Sequence, residues 1–295
     1  MAGPNLRAAG NPVPEQALHT VLKRVTLPYT NGSAFDDWEK NNKKLEGLGA
    51  GSDFVAFQDL AGVASIDVGF EGQEAGFPYH SCQETLDYFE RFVDPSYLYV
   101  ASLAEIMSLL LLSLADEPMI PFDFDAYARE ISSYVSKLKD DAAAQSASGV
   151  LPTDSPAVDF TPLDAAAKSF TDSAHEFMVW LKDWPQRLLG VSEYNPLLES
   201  RFTAIERITR NVRMSNFDTH LLDLPKSDEG REGGVPGRTQ FKHVVFGPQL
   251  WSGYDEAFFP HIRDPLFEYK NISQAQQMVE VVAKRLEYAS HKLNH

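Results

Sequence analysis

Cysteine is almost absent: Cys82 is the one cysteine in 295 residues. That excludes an internal disulfide and any cysteine-based zinc cluster, and it leaves the redox compartment open. Positive charge is scarce as well, with 26 Lys and Arg against 42 Asp and Glu and a formal net charge of −16. A surface for nucleic acid or an anionic membrane needs a cationic excess, so neither is an expected partner. Long apolar runs are missing too. The most apolar stretch, Leu103–Ala115, falls short of the about 20 residues that cross a bilayer and reads as a buried helix. No cationic-then-apolar leader opens the chain. The chain also lacks H-E-x-x-H, a G-x-S-x-G elbow, a Walker loop, a G-x-G-x-x-G after a strand, and any internal repeat.

What is present can build a core, since 43% of residues are hydrophobic and 12% aromatic. The Gly/Pro/Asn-rich opening, AGPNLRAAGNP, reads as a loop between a strand and a helix. A glycine-rich turn, Gly47–Gly51, precedes a short helix with Phe54, Phe57 and Leu60. VASIDVGF then alternates as a strand, with Ala64, Ile66, Val68 and Phe70 on one face. In GFPYHSCQETLDYFERF, Ser81 and Glu84 have capping-box spacing. Leu86, Phe89 and Val93 recur at helical intervals until Asp94-Pro95. These pieces read as part of an α/β sheet domain.

Beyond Pro118 helical spacing dominates. Phe124, Tyr127, Ile131, Val135 and Leu138 form one stripe; Leu163, Phe170, Ala174, Phe177 and Leu181 form a second. Leu198, Phe202, Ile205, Ile208 and Val212 form a third, and Met278, Val282, Leu286 and Ala289 a fourth. Four amphipathic helices predict an antiparallel bundle. It is interrupted by a small-residue connector, 141–158, and by a long aromatic-rich loop from Lys226 onward that is expected to be ordered.

Spacing alone gives little chemistry. A lone histidine such as His80 is more often structural than a ligand, and no second His or Cys stands at zinc-ligand spacing. His243, before a strand-like Val244-Val245, also reads as structural. Arg201, Arg207, Arg210 and Arg213 read as a solvated or interface stripe paired with acids. Two sequons, Asn31-Gly32-Ser33 and Asn271-Ile272-Ser273, would accept glycans in a secretory protein.

Taken together, LGAGSDF (Leu48–Phe54), VASIDVGF, FPYHSCQETLDYFERFVDP and HVVFGPQLWSGYDEAFFPHIRDPLF resemble glutamate carboxypeptidase II and its relatives in order and interval. These are zinc peptidases that share a fold with the transferrin receptor. The resemblance extends from about Ala2 to the C-terminus. It implies an α/β remnant of a zinc exopeptidase domain over residues 1–117, followed by an all-α helical-bundle dimerisation domain over 118–295. His80 matches a zinc ligand, one of five protein ligands for two zinc ions. Tyr79 matches a tyrosine whose hydroxyl stabilises the tetrahedral oxyanion. Gly51 matches the turn lining the substrate pocket, and Tyr254 a loop tyrosine that reaches into it. Fungal-looking members of the family are vacuolar or secretory type II membrane proteins, so the resemblance implies the secretory pathway, the vacuolar lumen or the extracellular side of a membrane for a full-length member.

The departures alter the expectation. The family's arginine pair falls at Asp67 and Gly69, its loop lysine at Gly253 and an asparagine of the turn at Ser52, so a C-terminal glutamate is not favoured in the same way. Asp67 is a candidate for attracting a free amino terminus. The other four zinc ligands and the general-base glutamate belong, in the family, to sequence preceding the stretch that opens this chain. The zinc pair is therefore expected to be incomplete here and the chain inactive alone, acting on peptides only where the missing part is supplied. The alternative is a non-catalytic dimerisation module or receptor-like protein. Homodimerisation through the C-terminal helices is implied in either case.

Overall fold

The computed structural model describes residues 3–41, 44–72, 77–151, 157–226 and 231–295. Its contacts divide the chain into two compact units. One comprises Met1–Gly10, Pro14–Glu46 and Ile66–Phe122; the other comprises Asn11–Val13, Gly47–Ser65 and Asp123–His295. This differs from a single cut at residue 117, because Asn11–Val13 and Gly47–Ser65 group with the C-terminal residues.

In the first unit β1 (Asn5–Gly10) pairs antiparallel with β2 (Ile66–Glu71), Asn5 opposite Glu71 and Gly10 opposite Ile66. The opening stretch is thus a strand and not the expected loop. Leu6 and Ala8 point inward while Asn5 points out, but small alanines make that alternation faint. Val68 and Phe70 of β2 join the same core. Helix α1 (Glu15–Leu22) adds Ala17, Leu18, Val21 and Leu22 to it. Helix α2 (Ala34–Lys40) opens with a capping box in which Ser33 Oγ accepts from Asp36 N–H and Asp36 accepts from Ser33 N–H at 2.6 Å.

The capping box expected at Ser81 and Glu84 is not formed. Ser81 Oγ donates to the Pro78 carbonyl at 2.7 Å, and Glu84 accepts from the His80 N–H at 2.9 Å. The cap is Thr85, whose hydroxyl accepts from Tyr88 N–H. It starts a single turn, α3 (Leu86–Tyr88), that continues as a π-helical turn over Phe89–Val93.

Helix α4 (Leu98–Asp116) contains the most apolar run. It packs against α1 and β2, yet within the unit only Ser102, Ile106 and Leu110 are buried, and Leu111 is 68% exposed. The expectation of a buried helix is corrected: the run is apolar on every side and has neighbours on one. By length and composition alone α4 could cross a membrane.

In the second unit α5 (Phe124–Ala147), α6 (Thr161–Lys182) and α10 (Ile272–Asn294) pack together. Their predicted stripes form the core: Phe124, Tyr127, Ile131, Val135 and Leu138 with Leu163, Phe170, Ala174, Phe177, Met278, Val282, Leu286 and Ala289. Tyr127, Phe170 and Phe217 meet edge-on or stacked at 4.9–5.7 Å, within the range where ring quadrupoles attract. After α6 come α7 (Trp184–Leu189) and α8 (Arg201–Ser215). The expected four-helix bundle is a three-helix core, because α8 buries only Met214 and turns its apolar stripe to solvent.

The described part of the aromatic-rich loop, from residue 231 on, is ordered. It forms a hairpin of β3 (Phe246–Pro248) and β4 (Glu256–Phe258), then α9 (Pro260–Arg263) and a π-helical turn over Asp264–Glu268. Val244, Val245, Phe246, Phe259, Ile262 and Leu266 are buried, which anchors it. Val244-Val245 precedes the strand rather than forming it.

Candidate functional site

The residues singled out by resemblance fall in both units. In the second, the glycine turn and the hairpin loop are brought together across some two hundred positions of sequence. The Ala50 N–H donates to the Gly253 carbonyl at 2.7 Å. A Cβ on Gly49 would collide with the Tyr254 carbonyl, and one on Gly51 would lie 2.6 Å from the Tyr254 ring. Neither glycine has positive φ, so close approach of the loop, and not backbone conformation, is what demands glycine here. Ser52 and Tyr254 are both exposed. Gly49→Val should push Tyr254 off the turn. Faster chymotryptic cleavage between Trp251 and Tyr254 is the expected result, and an unchanged rate would contradict the packing.

In the first unit His80 adopts φ +57°, a left-handed conformation that costs a non-glycine residue on the order of 1–3 kcal/mol. Its backbone N–H is held by Glu84, and its ring stacks on Tyr79 with centroids 3.8 Å apart. Both side chains are exposed, Tyr79 at 56%. Asp67, on β2, lies 3.7 Å from Arg7, which also pairs with Glu46 at 2.9 Å. A cation therefore already stands near the carboxylate proposed to draw an amino terminus. Among the described residues no three His, Cys, Asp or Glu converge as a metal site. His80 alone does not meet the about four donors a zinc ion takes.

A buried polar cluster in the second unit has no counterpart in the sequence reading beyond His243. Asp218 Oδ1 accepts from Asn11 Nδ2 at 2.9 Å, from the Tyr127 hydroxyl at 3.0 Å and from His243 Nε2 at 3.0 Å. His243 Nδ1 accepts from the Val245 and Phe246 N–H groups, so the proton resides on Nε2 and is donated to Asp218. His243 is structural, as its setting predicted. Burial and the adjacent Asp218 hold the Tyr127 hydroxyl well above its usual range, keeping it a donor. Nearby, Asp223 accepts from Arg231 and from Gly234 N–H, and Asp264 pairs with Arg238 at 2.8 Å. Asp59 and His261 are fully buried, and among the described residues neither side chain has a well-formed hydrogen bond.

The predicted basic stripe pairs with acids at Arg207 and Arg210, as expected, and Arg201 is exposed. Arg207 pairs with Glu199 at 2.6 Å, and Arg210 pairs with Glu206 and lies over Trp180 at 4.4 Å. Arg213 donates to the carbonyls of Asn294 and His295.

Residues 158–294 match the transferrin receptor-like dimerisation domain. The chain is similar to an inactive zinc metalloprotease of Schizosaccharomyces pombe, 24% identical over 82% of this chain and 28% of that protein. It is also similar to AMP1, a probable glutamate carboxypeptidase of Arabidopsis thaliana, at 27% over 99% of this chain and 37% of that one. The aminopeptidase NAALADL1 of Rattus norvegicus matches at 27% over 96% and 36%. The chain thus spans about a third of the length of these relatives. On these matches the chain is similar to the glutamate carboxypeptidase and NAALADL1 peptidases, and its residues 158–294 match the transferrin receptor-like dimerisation domain.

Proposed function

We propose that this chain is the C-terminal part of a zinc exopeptidase, contributing one zinc ligand, one wall of the substrate pocket and a homodimer surface made by its C-terminal helices. The observation that carries the reading is the seating of Tyr254 on the Gly49–Gly51 turn. Two segments distant in sequence, each matched independently to the pocket, meet there. Tyr254 would lie along a bound peptide, beside the exposed Gly51. The Tyr79 hydroxyl would donate to the oxyanion formed on peptide attack. His80 would be a neutral imidazole ligand, a donor suited to zinc. One histidine does not make a zinc pair, so no step of hydrolysis is routed through metal in this chain.

A second reading, a non-catalytic dimerisation module, has its own support: one relative is named an inactive zinc metalloprotease. Calorimetry with zinc, paired with hydrolysis of N-terminally free and blocked peptides, tests both. Expected are no tight zinc binding and no turnover by the 295-residue chain. Two zinc ions bound tightly per chain would defeat the claim of an incomplete site. If His80→Ala leaves turnover unchanged in a longer protein that contains this chain and is active, the ligand assignment fails.

A further inference from the structure

The loop 249–255, which carries Tyr254, has no buried side chain, and Trp251 at its tip is 83% exposed. Apolar packing therefore does not set its height above the Gly49–Gly51 turn. The fit there has no slack, since a single Cβ on Gly49 would collide with the Tyr254 carbonyl. The Gln249 N–H closes the loop on the Asp255 carbonyl at 2.9 Å, but that bond travels with the loop. The position has to be set by polar contacts to the rest of the unit. Trp251 Nε1 donates to Glu268 at 2.7 Å, an exposed bond that competes with water. Arg238 takes hold from the interior. Its Nη2 donates to the Pro248 carbonyl at 2.9 Å and its Nη1 to the Gln249 carbonyl at 3.3 Å, where β3 passes into the loop. Its Nε donates to Asp264 at 2.8 Å, and the two side chains are only 10% and 4% exposed. Bonds from a charged donor shielded from water are the strong ones.

We propose that Arg238, fixed by Asp264, is a positioning residue: it sets the stem of the loop so that Tyr254 stays seated on the Gly49–Gly51 turn. The inference rests on the reading of Tyr254 as a wall of the substrate pocket. Arg238 is itself well placed for the task. Its N–H donates at 2.9 Å to the carbonyl of the fully buried Val235, and its guanidinium lies 5.3 Å from the Phe241 ring. Asp264 opens the π-helical turn that also supplies Glu268, so one short segment holds both the guanidinium and the indole. Arginine suits this place because its planar fork reaches a carboxylate and two carbonyls at once, which a lysine ammonium does not.

The Ala50 N–H reports the seating directly, because its partner is the Gly253 carbonyl at 2.7 Å. Its hydrogen exchange in the 295-residue chain is compared with that of amides in the middle of α10, which report the folding of the unit. In the wild type Ala50 should be protected, yet exchange faster than α10. Arg238→Lys keeps a charge beside Asp264 and loses the fork, and should speed Ala50 exchange about tenfold or more. Asp264→Asn keeps an acceptor oxygen and should speed it by less; it decides the matter if Arg238→Lys does not fold. A role confined to keeping the unit folded would speed α10 and leave Ala50 unchanged in these variants, and that result would sink the proposal. So would a wild-type Ala50 that exchanges in step with α10, because the loop would then have no hold of its own. A larger effect of Trp251→Phe than of Arg238→Lys would give the hold to the exposed bond instead. In each of these failures the pocket reading survives. An Ala50 amide with no protection in the wild type would overturn the seating itself, and the proposed function with it.

Discussion

Asp218→Ala is expected to unfold most of the C-terminal unit under conditions where the wild type is folded. One carboxylate oxygen accepts from Asn11, Tyr127 and His243, and all four residues are buried. Removing it strips three interior donors of their shared acceptor. Each orphaned group costs about 1–3 kcal/mol, and a cavity adds to the loss. Even with partial relaxation the sum, roughly 3–5 kcal/mol, is a large part of the about 5–15 kcal/mol that keeps a domain folded. Urea unfolding followed by helical circular dichroism measures it, because α5, α6 and α10 carry much of that signal. Asp218→Asn keeps an oxygen acceptor and should lose less. Tyr127→Phe removes one donor and leaves the acceptor with two, so a loss of about 1 kcal/mol is expected. If Asp218→Ala costs no more than Tyr127→Phe, the cluster is not the organising contact the geometry implies.

That cluster also marks the limit of what could be read from the chain. The stripes of α5, α6 and α10 were legible because large apolar residues at a 3.6-residue period have few other uses. The stripe of α8 was equally legible, but periodicity says which residues share a face and not where the face points. Only the seating of Arg210 on Trp180 reverses its direction. Strand β1 escaped notice because Ala8 and Ala9 give a weak alternation and its partner β2 lies about sixty residues away. At the turn before α3, the S-x-x-E spacing of Ser81 and Glu84 points to a cap four residues before the one that forms at Thr85. The site divides in the same way. Resemblance paired Gly51 with Tyr254, and the packing accounts for the glycine. Asn11, Tyr127, Asp218 and His243 come from four separate segments, one residue from each, so no window of sequence contains their relationship.

Asp59→Asn and His261→Gln should change the pH dependence of stability in opposite directions. Both residues lie in the second unit at 0% exposure with unsatisfied side-chain atoms. Burial pushes the Asp59 carboxyl up to about 7, outweighing the nearby His243, Gln58 and Arg238 that favour its charged form. Burial pushes the His261 imidazole down to about 3, although Asp223 at 3.8 Å pulls the other way and His243, Arg231 and Lys242 add to the fall. A raised carboxyl pKa means the folded state holds the proton longer than the unfolded state. Asp59 therefore lowers stability as pH rises from about 4 to about 7, by roughly 4 kcal/mol in all. A depressed imidazole pKa means the unfolded state takes the proton first. His261 lowers stability as pH falls from about 6.5 to about 3, by a similar amount. Between about pH 4 and 6.5 the two slopes are opposite and nearly equal, so their joint contribution is flat. Relative to wild type, Asp59→Asn should show no pH-dependent gain below pH 4 and a gain growing to roughly 4 kcal/mol above pH 7. His261→Gln should show its gain at the acid end, fading by about pH 6.5. Difference curves from urea midpoints at stepped pH isolate each group from other titrations, including that of Asp264, which burial raises to about 6 in all three proteins. Difference curves that stay level from pH 3 to 8 would mean the two side chains find partners or water in solution. Curves that cross over near pH 5 would mean this interior holds a neutral acid and a neutral base, each kept so by burial.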